Sequence, residues 1–341
     1  MRSMQKANPW YSLDSFVEEF KQYLPFWFLY LEAFGLLHLG LANFPDSEFE
    51  ALGIPRYQFA LTVLFPLAWI AVFLWLRWKH SRRLADGWQG LSVYTIMLLA
   101  LPILIALFHR PHPLDHDQLT ALFEYSQFFW VALFLAQIGW TRGIHGLVLF
   151  FGVTFVYGLV LENSGIIMHF FFEPSFRYYL GPLPAPLCTM LGWCVVFYVT
   201  VAIVQQLAQW VPWLQKGAGR RALAATALAL CMDAQLDPLA SMSGVFWRWN
   251  ELLPPAFLGV PFINFAAWFG AFLPYTWLMF RVMDRQEWSE REKNWELFVR
   301  IGLATVLAGF LCFAVMAIWE GGVDGPSFQI LEAFTQRLMP Y

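Results

Sequence analysis

The chain has 341 residues, of which 59% are hydrophobic, 19% aromatic and only 13% charged, with a formal net charge of −3. Soluble domains carry about 25% charged residues, so a soluble globule and a disordered chain are excluded. A nucleic-acid binder is excluded too, because no block of basic residues runs beyond a few positions. What remains is an all-α integral membrane protein, a polytopic bundle whose spans matter more than its length.

Residues 1–23 are largely polar and interrupted by Pro9. They read as a cytoplasmic leading segment and not as a signal peptide. A spanning helix needs about 20 mostly apolar residues. Nine stretches meet that demand, at 24–43, 57–79, 88–108, 120–140, 143–162, 186–210, 219–240, 260–283 and 297–319. Together they make one helical domain over 24–319, followed by a non-cytoplasmic segment, 320–341.

Two aromatic, proline-rich segments interrupt the pattern, 163–185 and 241–259. Lipid does not tolerate exposed irregular backbone, so both are expected to be re-entrant or packed on the bundle. Cys188, Cys194, Cys231 and Cys312 lie in apolar runs without a C-x-x-C pair, which reads as small apolar filling.

Orientation follows from Lys and Arg. On the nine-span layout 16 of the 21 fall on the face that carries the N-terminus. Only Arg56, Arg110, Arg177, Arg248 and Arg337 fall on the other. The N-terminus is therefore expected in the cytoplasm, with the protein in a prokaryotic inner membrane.

Carboxylates at the bilayer centre cost about 2.5–3.5 kcal/mol even on lenient insertion scales, so polar groups inside spans point to function. The candidates are Glu32, His38, Glu124, Glu162, Asp233, Asp237 and Asn264. Asp233 lies about 21 Å along its span and Glu162 about 28 Å along its own, at 1.5 Å per residue. Most of the others fall in the same non-cytoplasmic half, which suggests one shared site; Glu32, nearer mid-membrane, fits that pattern least.

Asp233 and Asp237 are four apart, on one helix face. Pro238 disfavours helical geometry at Asp237, which predicts a helix end there. Two carboxyls this close in a low-dielectric medium cannot both ionise cheaply, so one serves as proton donor and the other as base. Polar packing against Ser241 or Ser243 is the plain structural alternative. Trp247, Trp249 and Trp268 flank these groups and suit a long apolar ligand or a developing cation.

His109, His112 and His116, beside Asp115 and Asp117, have the look of a ligand cluster. Pro111 and Pro113 break any regular helix there, and a solvated loop is the expectation, with no metal site. His145 is expected at the cytoplasmic start of the fifth span. His169 sits in the aromatic segment after Glu162, as a site residue or a structural one. No H-E-x-x-H, phosphate loop or G-x-G-x-x-G is present.

The run LENSGIIMHFFFEPSFRYYLGPLPAP (161–186), DAQLDPLASMSG (233–244), WRW (247–249) and GVPFINFAAW (259–268) resembles the carotenoid biosynthesis membrane proteins that include the carotenoid 1,2-hydratases, enzymes acting on γ-carotene and bisanhydrobacterioruberin. The likeness covers about residues 150–283. It departs at the tryptophan pair, which two residues separate from Gly244 where one is expected, and at Ala256, Phe257 and Leu258, where a tyrosine pair is common.

The resemblance implies addition of water across the terminal trisubstituted alkene of an acyclic carotenoid, without a cofactor. Asp233 would then be the acid and Glu162 or Asp237 the base. Trp247, Trp249, Asn264, Trp268, His169 and Tyr178 would bind the substrate. The implied partners are a polyene lipid, membrane lipids and other enzymes of the pathway, and no nucleic acid. A membrane prenyltransferase is the nearest rival, because Asp233-x-x-x-Asp237 is similar to diphosphate–magnesium motifs. A lipid transporter with a carboxylate relay and a non-catalytic scaffold are the others.

Overall fold

The computed structural model describes residues 13–44, 46–51, 55–83, 93–108, 113–173, 175–241 and 244–338. In chain order the helices are α1 (Leu13–Asn43), α2 (Asp46–Ala51), α3 (Arg56–Leu61), α4 (Leu64–Arg83), α5 (Val93–Phe108) and α6 (His116–Leu147). A π-helical turn over Val148–Val153 leads into α7 (Thr154–Ile167). Then come α8 (Leu187–Ala208), α9 (Pro212–Gln215), α10 (Ala218–Ser241), α11 (Phe262–Met283), α12 (Glu290–Val299), α13 (Ile301–Trp319) and α14 (Pro326–Leu338). Four very short strands qualify the all-α expectation: β1 (Phe171–Phe172), β2 (Arg248–Trp249), β3 (Pro255–Phe257) and β4 (Val260–Pro261).

Among the described residues, five helical stretches are long and apolar enough to cross a membrane: Phe16–Asn43, Tyr57–Leu76, His116–Ile167, Leu187–Ala208 and Ile301–Trp319. Nine spans are not reproduced on that criterion. One of the five has 52 residues. Straight, it would be about 78 Å long, far more than a hydrocarbon core of about 30 Å. It is not straight, because Gly143 stands at φ +65° and ψ −166°, a conformation in which an L side chain would be strained.

The contacts define the turn. In α6, Phe134 and Gln137 meet Tyr198 and Arg142 meets Gln205, so α6 runs parallel to α8. In the following arm Phe150 meets Tyr198 while Asn163 meets Ala185, so that arm runs against α8. The chain doubles back at Gly143, and the two arms correspond to the fourth and fifth stretches of the sequence. The second stretch is broken instead: Thr62 closes a turn on the Phe59 carbonyl at 2.7 Å and separates α3 from α4.

Prolines loosen several helices, and neighbours take up the slack. Pro25 in α1 has no N–H for the Lys21 carbonyl. Gln137 of α6 donates to that carbonyl at 2.7 Å and accepts the Tyr198 hydroxyl at 2.9 Å, which ties α1, α6 and α8 together. Tyr30 donates to the Leu99 carbonyl and Tyr157 to the Ala271 carbonyl, each one residue beyond the carbonyl that Pro102 or Pro274 leaves without a helical partner. Pro238 does not end α10, as its sequence suggested: the helix continues to Ser241, and the Phe246 N–H then takes the Ala240 carbonyl at 3.0 Å. Asp237 is therefore inside a helix.

Helix ends sort by charge. Lys21, Arg142, the Arg221–Asp284 pair and the Asn294–His145 contact lie at the end that holds the Gly143 turn. At the opposite end the two aromatic segments fold over the bundle. There β1 pairs antiparallel with β2, Phe171 opposite Trp249, and β3 pairs with β4.

At Gly270 a Cβ would meet the Ala308 carbonyl oxygen and the Cys312 nitrogen, both backbone atoms. The bare glycine lets α11 and α13 lie close together. Gly270→Val should therefore destabilise the bundle by about 1–3 kcal/mol, as overpacking does. A thermal midpoint in detergent equal to that of the parent would contradict this close packing.

Candidate active site

The bundle encloses a cavity of about 360 Å³ on the side nearer the aromatic segments. Its wall is mostly apolar. Asp237, Glu162, Asn264, Glu32, Gln127 and Thr189 are the polar residues that matter there, and Trp193, Trp247, Trp249 and Trp268 supply large ring faces. Trp268 stacks on Phe272 at 5.5 Å and lies 4.8 Å from Trp193. Trp249 is fixed by its indole N–H on the Ser241 hydroxyl at 2.9 Å.

Four carboxyls gather here as two pairs. On α10, Asp237 faces the cavity and is hydrogen-bonded to Asp233 behind it. Asp233 is fully buried and receives the Asn264 amide on both oxygens, at 2.9 and 3.1 Å. Asn264 lies one turn into α11, which starts at Phe262 just after the β3–β4 turn. That turn thus sets the height of the amide against α10.

The second pair joins α7 to the aromatic segment. Glu162 faces the cavity and accepts the Trp193 indole N–H at 2.6 Å. Behind it is Glu173, also buried and hydrogen-bonded to Glu162, with Oε2 3.4 Å from the Thr189 hydroxyl. Oε1 of Glu173 has no amide or hydroxyl partner, so the Glu162 carboxyl is the group left to share a proton with it. A buried carboxylate without such a partner is expensive. In both pairs one carboxyl touches the cavity and its companion lies behind.

The segment that carries Glu173 is latched to α6. Glu124, fully buried, accepts the backbone N–H groups of Arg177 at 2.8 Å and Tyr178 at 3.2 Å, and the Arg177 guanidinium at 3.2 Å. At the other side Asn250 donates its side chain to the His169 carbonyl at 2.8 Å and its backbone N–H to the Phe170 carbonyl at 2.9 Å.

The sequence-based candidates sort accordingly. Asp237, Glu162, Asn264, Trp247, Trp249 and Trp268 all line the cavity. Asp233, expected as the acid, backs Asp237 and does not line it. His169 and Tyr178 stay outside the lining: His169 packs near Phe172, and Tyr178 is an exposed residue beside Tyr125. Glu124 is an anchor for the aromatic segment and not part of the shared site. Glu32 does line the cavity, although its depth made it the poorest fit in the sequence. His38 is half-buried and away from the lining.

The histidine loop has a structural role where it is visible. Asp115 caps α6 in a reciprocal box with Gln118, and His116 lies 2.9 Å from Ser175. His109, His112 and Ser243 lie outside the described residues. Sequence reasoning passed over Glu173 and Trp193. Glu173 had a signal, a single acid between three phenylalanines and a proline in a chain poor in charge.

The site is a carboxyl cluster walled by aromatics inside a bundle of long apolar helices, the build of an integral membrane protein. A family model described as carotenoid biosynthesis protein matches residues 122–326. That span holds every residue of the two pairs, and the chain belongs to this family. Searches among curated proteins and solved structures found no match.

The latch gives a direct expectation. Glu124→Leu removes the acceptor of two backbone amides and a guanidinium. Hydrogen bonds to charged groups contribute about 1.5–3 kcal/mol, so exchange at the Arg177 and Tyr178 amides should quicken by roughly ten- to a hundredfold if local opening controls it. Unchanged protection at both amides would remove Glu124 as the anchor.

Proposed function

We propose that the chain is a carotenoid 1,2-hydratase of cofactor-independent, hydro-lyase type. The observation that carries the reading is that Asp237 and Glu162 face one aromatic-walled cavity, each hydrogen-bonded to a second carboxyl. A carboxyl–carboxyl hydrogen bond needs one proton per pair. Asn264 already donates to Asp233, so Asp233 is the natural charged member and Asp237 holds the proton. Trp193 donates to Glu162, so Glu162 is the natural charged member and Glu173 holds the proton. The two pairs then present one acid and one base to the cavity. This moves the donor from Asp233, the acid expected from sequence, to Asp237.

The chemistry balances without a redox partner. The Asp237 carboxyl gives its proton to C2 of the terminal alkene, whose π electrons form the new C–H bond. A tertiary cation remains at C1, facing indole rings whose quadrupoles favour positive charge. Water adds to C1 and loses a proton to Glu162, giving a tertiary alcohol. One proton returned from the glutamate pair to Asp237 resets the site, and the sum is one water added.

The cavity lining contains no Lys or Arg among the described residues. A diphosphate would need such groups, which weighs against the prenyltransferase alternative. A transporter or scaffold would not depend on Asp237 for a change in pigment mass. The segregation of cations toward the Gly143 end supports a cytoplasmic N-terminus in an inner membrane, nine crossings and a site in the outer half. Substrate would arrive from the lipid or from neighbouring enzymes of the pathway.

Expression in a host that accumulates lycopene or γ-carotene should yield pigments heavier by one water. Asp237→Asn should cut that yield by about 10²–10⁴-fold, the usual worth of a general acid, while the protein still purifies folded. Near-normal hydration by this variant would sink the assignment of Asp237. Activity should also persist in purified protein treated with a chelator and given no nicotinamide or flavin. Loss restored by a single metal would reopen the prenyltransferase reading. Reporter fusions should put the two ends of the chain on opposite faces.

A further inference from the structure

A second cavity, of about 190 Å³, lies between α1, α6 and the end of α10. It shares Glu32, Phe123, Gln127 and Leu236 with the first, so the two spaces adjoin along these residues. Its wall is mainly apolar, with Leu39, Leu119, Leu122 and Trp130 prominent and Glu32, Ser126 and Gln127 as its polar residues.

We infer that this chamber receives the distal part of the same polyene whose end reacts at Asp237. The inference rests on the hydratase reading for its ligand and on the shared wall for its path. The first chamber holds four tryptophans and the two carboxyl pairs, and its volume is near the lower limit of about 300 Å³ for small-molecule pockets. That suits an end group. A stiff polyene many isoprene units long cannot fold back within it and must continue elsewhere. The adjoining space of matching polarity lies past Phe123 and Leu236, in the second chamber. The rotatable Phe123 and Leu236 side chains would then lie beside the chain, and the small Gly35 and Ser126 in the chamber wall would leave it room.

Gly35 makes the idea testable, since a Cβ there meets no atom within 4 Å. Gly35→Phe and Ser126→Phe fill the chamber from α1 and α6, and Gly35→Ala controls for altered helix propensity. Each is purified from a lycopene-producing host, and bound polyene per mole of protein, lycopene and its hydrated products together, is read from its visible absorption, since terminal hydration leaves the conjugated chromophore intact. Asp237→Asn should retain lycopene, and the wild type and Gly35→Ala lycopene or its hydrated products, while the two fillers fold with thermal midpoints near the parent and lose bound polyene at least tenfold. Fillers that keep full polyene, or a wild type that binds none, would overturn the inference. Lycopene bound by the wild type but never hydrated would defeat the hydratase reading and leave the chamber assignment standing.

Discussion

A carboxyl taken out of water must find a proton or a strong donor, and that constraint organises this structure. Four acids lie together in a largely apolar bundle. Among the described residues none of the four forms an ion pair, and Arg177 pairs with Glu124 to hold the aromatic segment instead. The acids resolve the conflict by pairing. Asp233 with Asp237 and Glu162 with Glu173 each share a proton, and one neutral donor, Asn264 or Trp193, supports each pair. Removing a helix from this arrangement would strand a charge, so α7, α8, α10 and α11 depend on one another through it.

The fold supplies geometry that such pairs need. Each pair joins groups one turn apart or reaches across a loop, and each draws its neutral donor from a different helix. Asn264 is placed by the start of α11, whose first turn follows directly on β4. Glu173 is placed by a segment with no helix of its own, held by Glu124 at one side and Asn250 at the other. The gap that Pro25 leaves in α1 is filled by Gln137, and Tyr157 ties α7 to α11, which keeps the frame stiff around a void. Side chains that fill hydrogen-bonding gaps in the frame leave the cavity to apolar and acidic groups.

Much of this was legible in the sequence. Hydropathy gave the helical segments, and the two proline-rich aromatic runs stood out as packed, irregular backbone. The depth argument brought Asp233, Asp237, Glu162 and Asn264 to one place. Four points were not legible, each for a physical reason. A helix face of four-residue spacing says that Asp233 and Asp237 are neighbours but not which one turns to the cavity. Depth along a span cannot separate an acid in the site from one like Glu124 that holds a loop. Pro238 looked like a terminus because local propensity predicts one, yet packing against α11 carries α10 a further turn. Glu173 was hidden because it lies outside any span, where depth has no meaning.

The value of two pairs over one becomes clear from the charge of the proposed cycle. At rest each pair carries one negative charge. When Asp237 gives up its proton, the aspartate pair holds two charges and the substrate one positive charge, so the total is unchanged and the new cation lies beside the greatest negative density in the membrane. Addition of water transfers a proton to Glu162, which leaves the glutamate pair neutral while the aspartate pair still holds two charges. Two adjacent anions in low dielectric are costly, so this last state is driven to return a proton to Asp237. Because one carboxyl of each pair reaches the cavity, a single pair would present either the acid or the base there but not both at once. The rear carboxyls thus do different work: Asp233, charged, leaves the proton on Asp237, and Glu173, protonated, leaves Glu162 as the base.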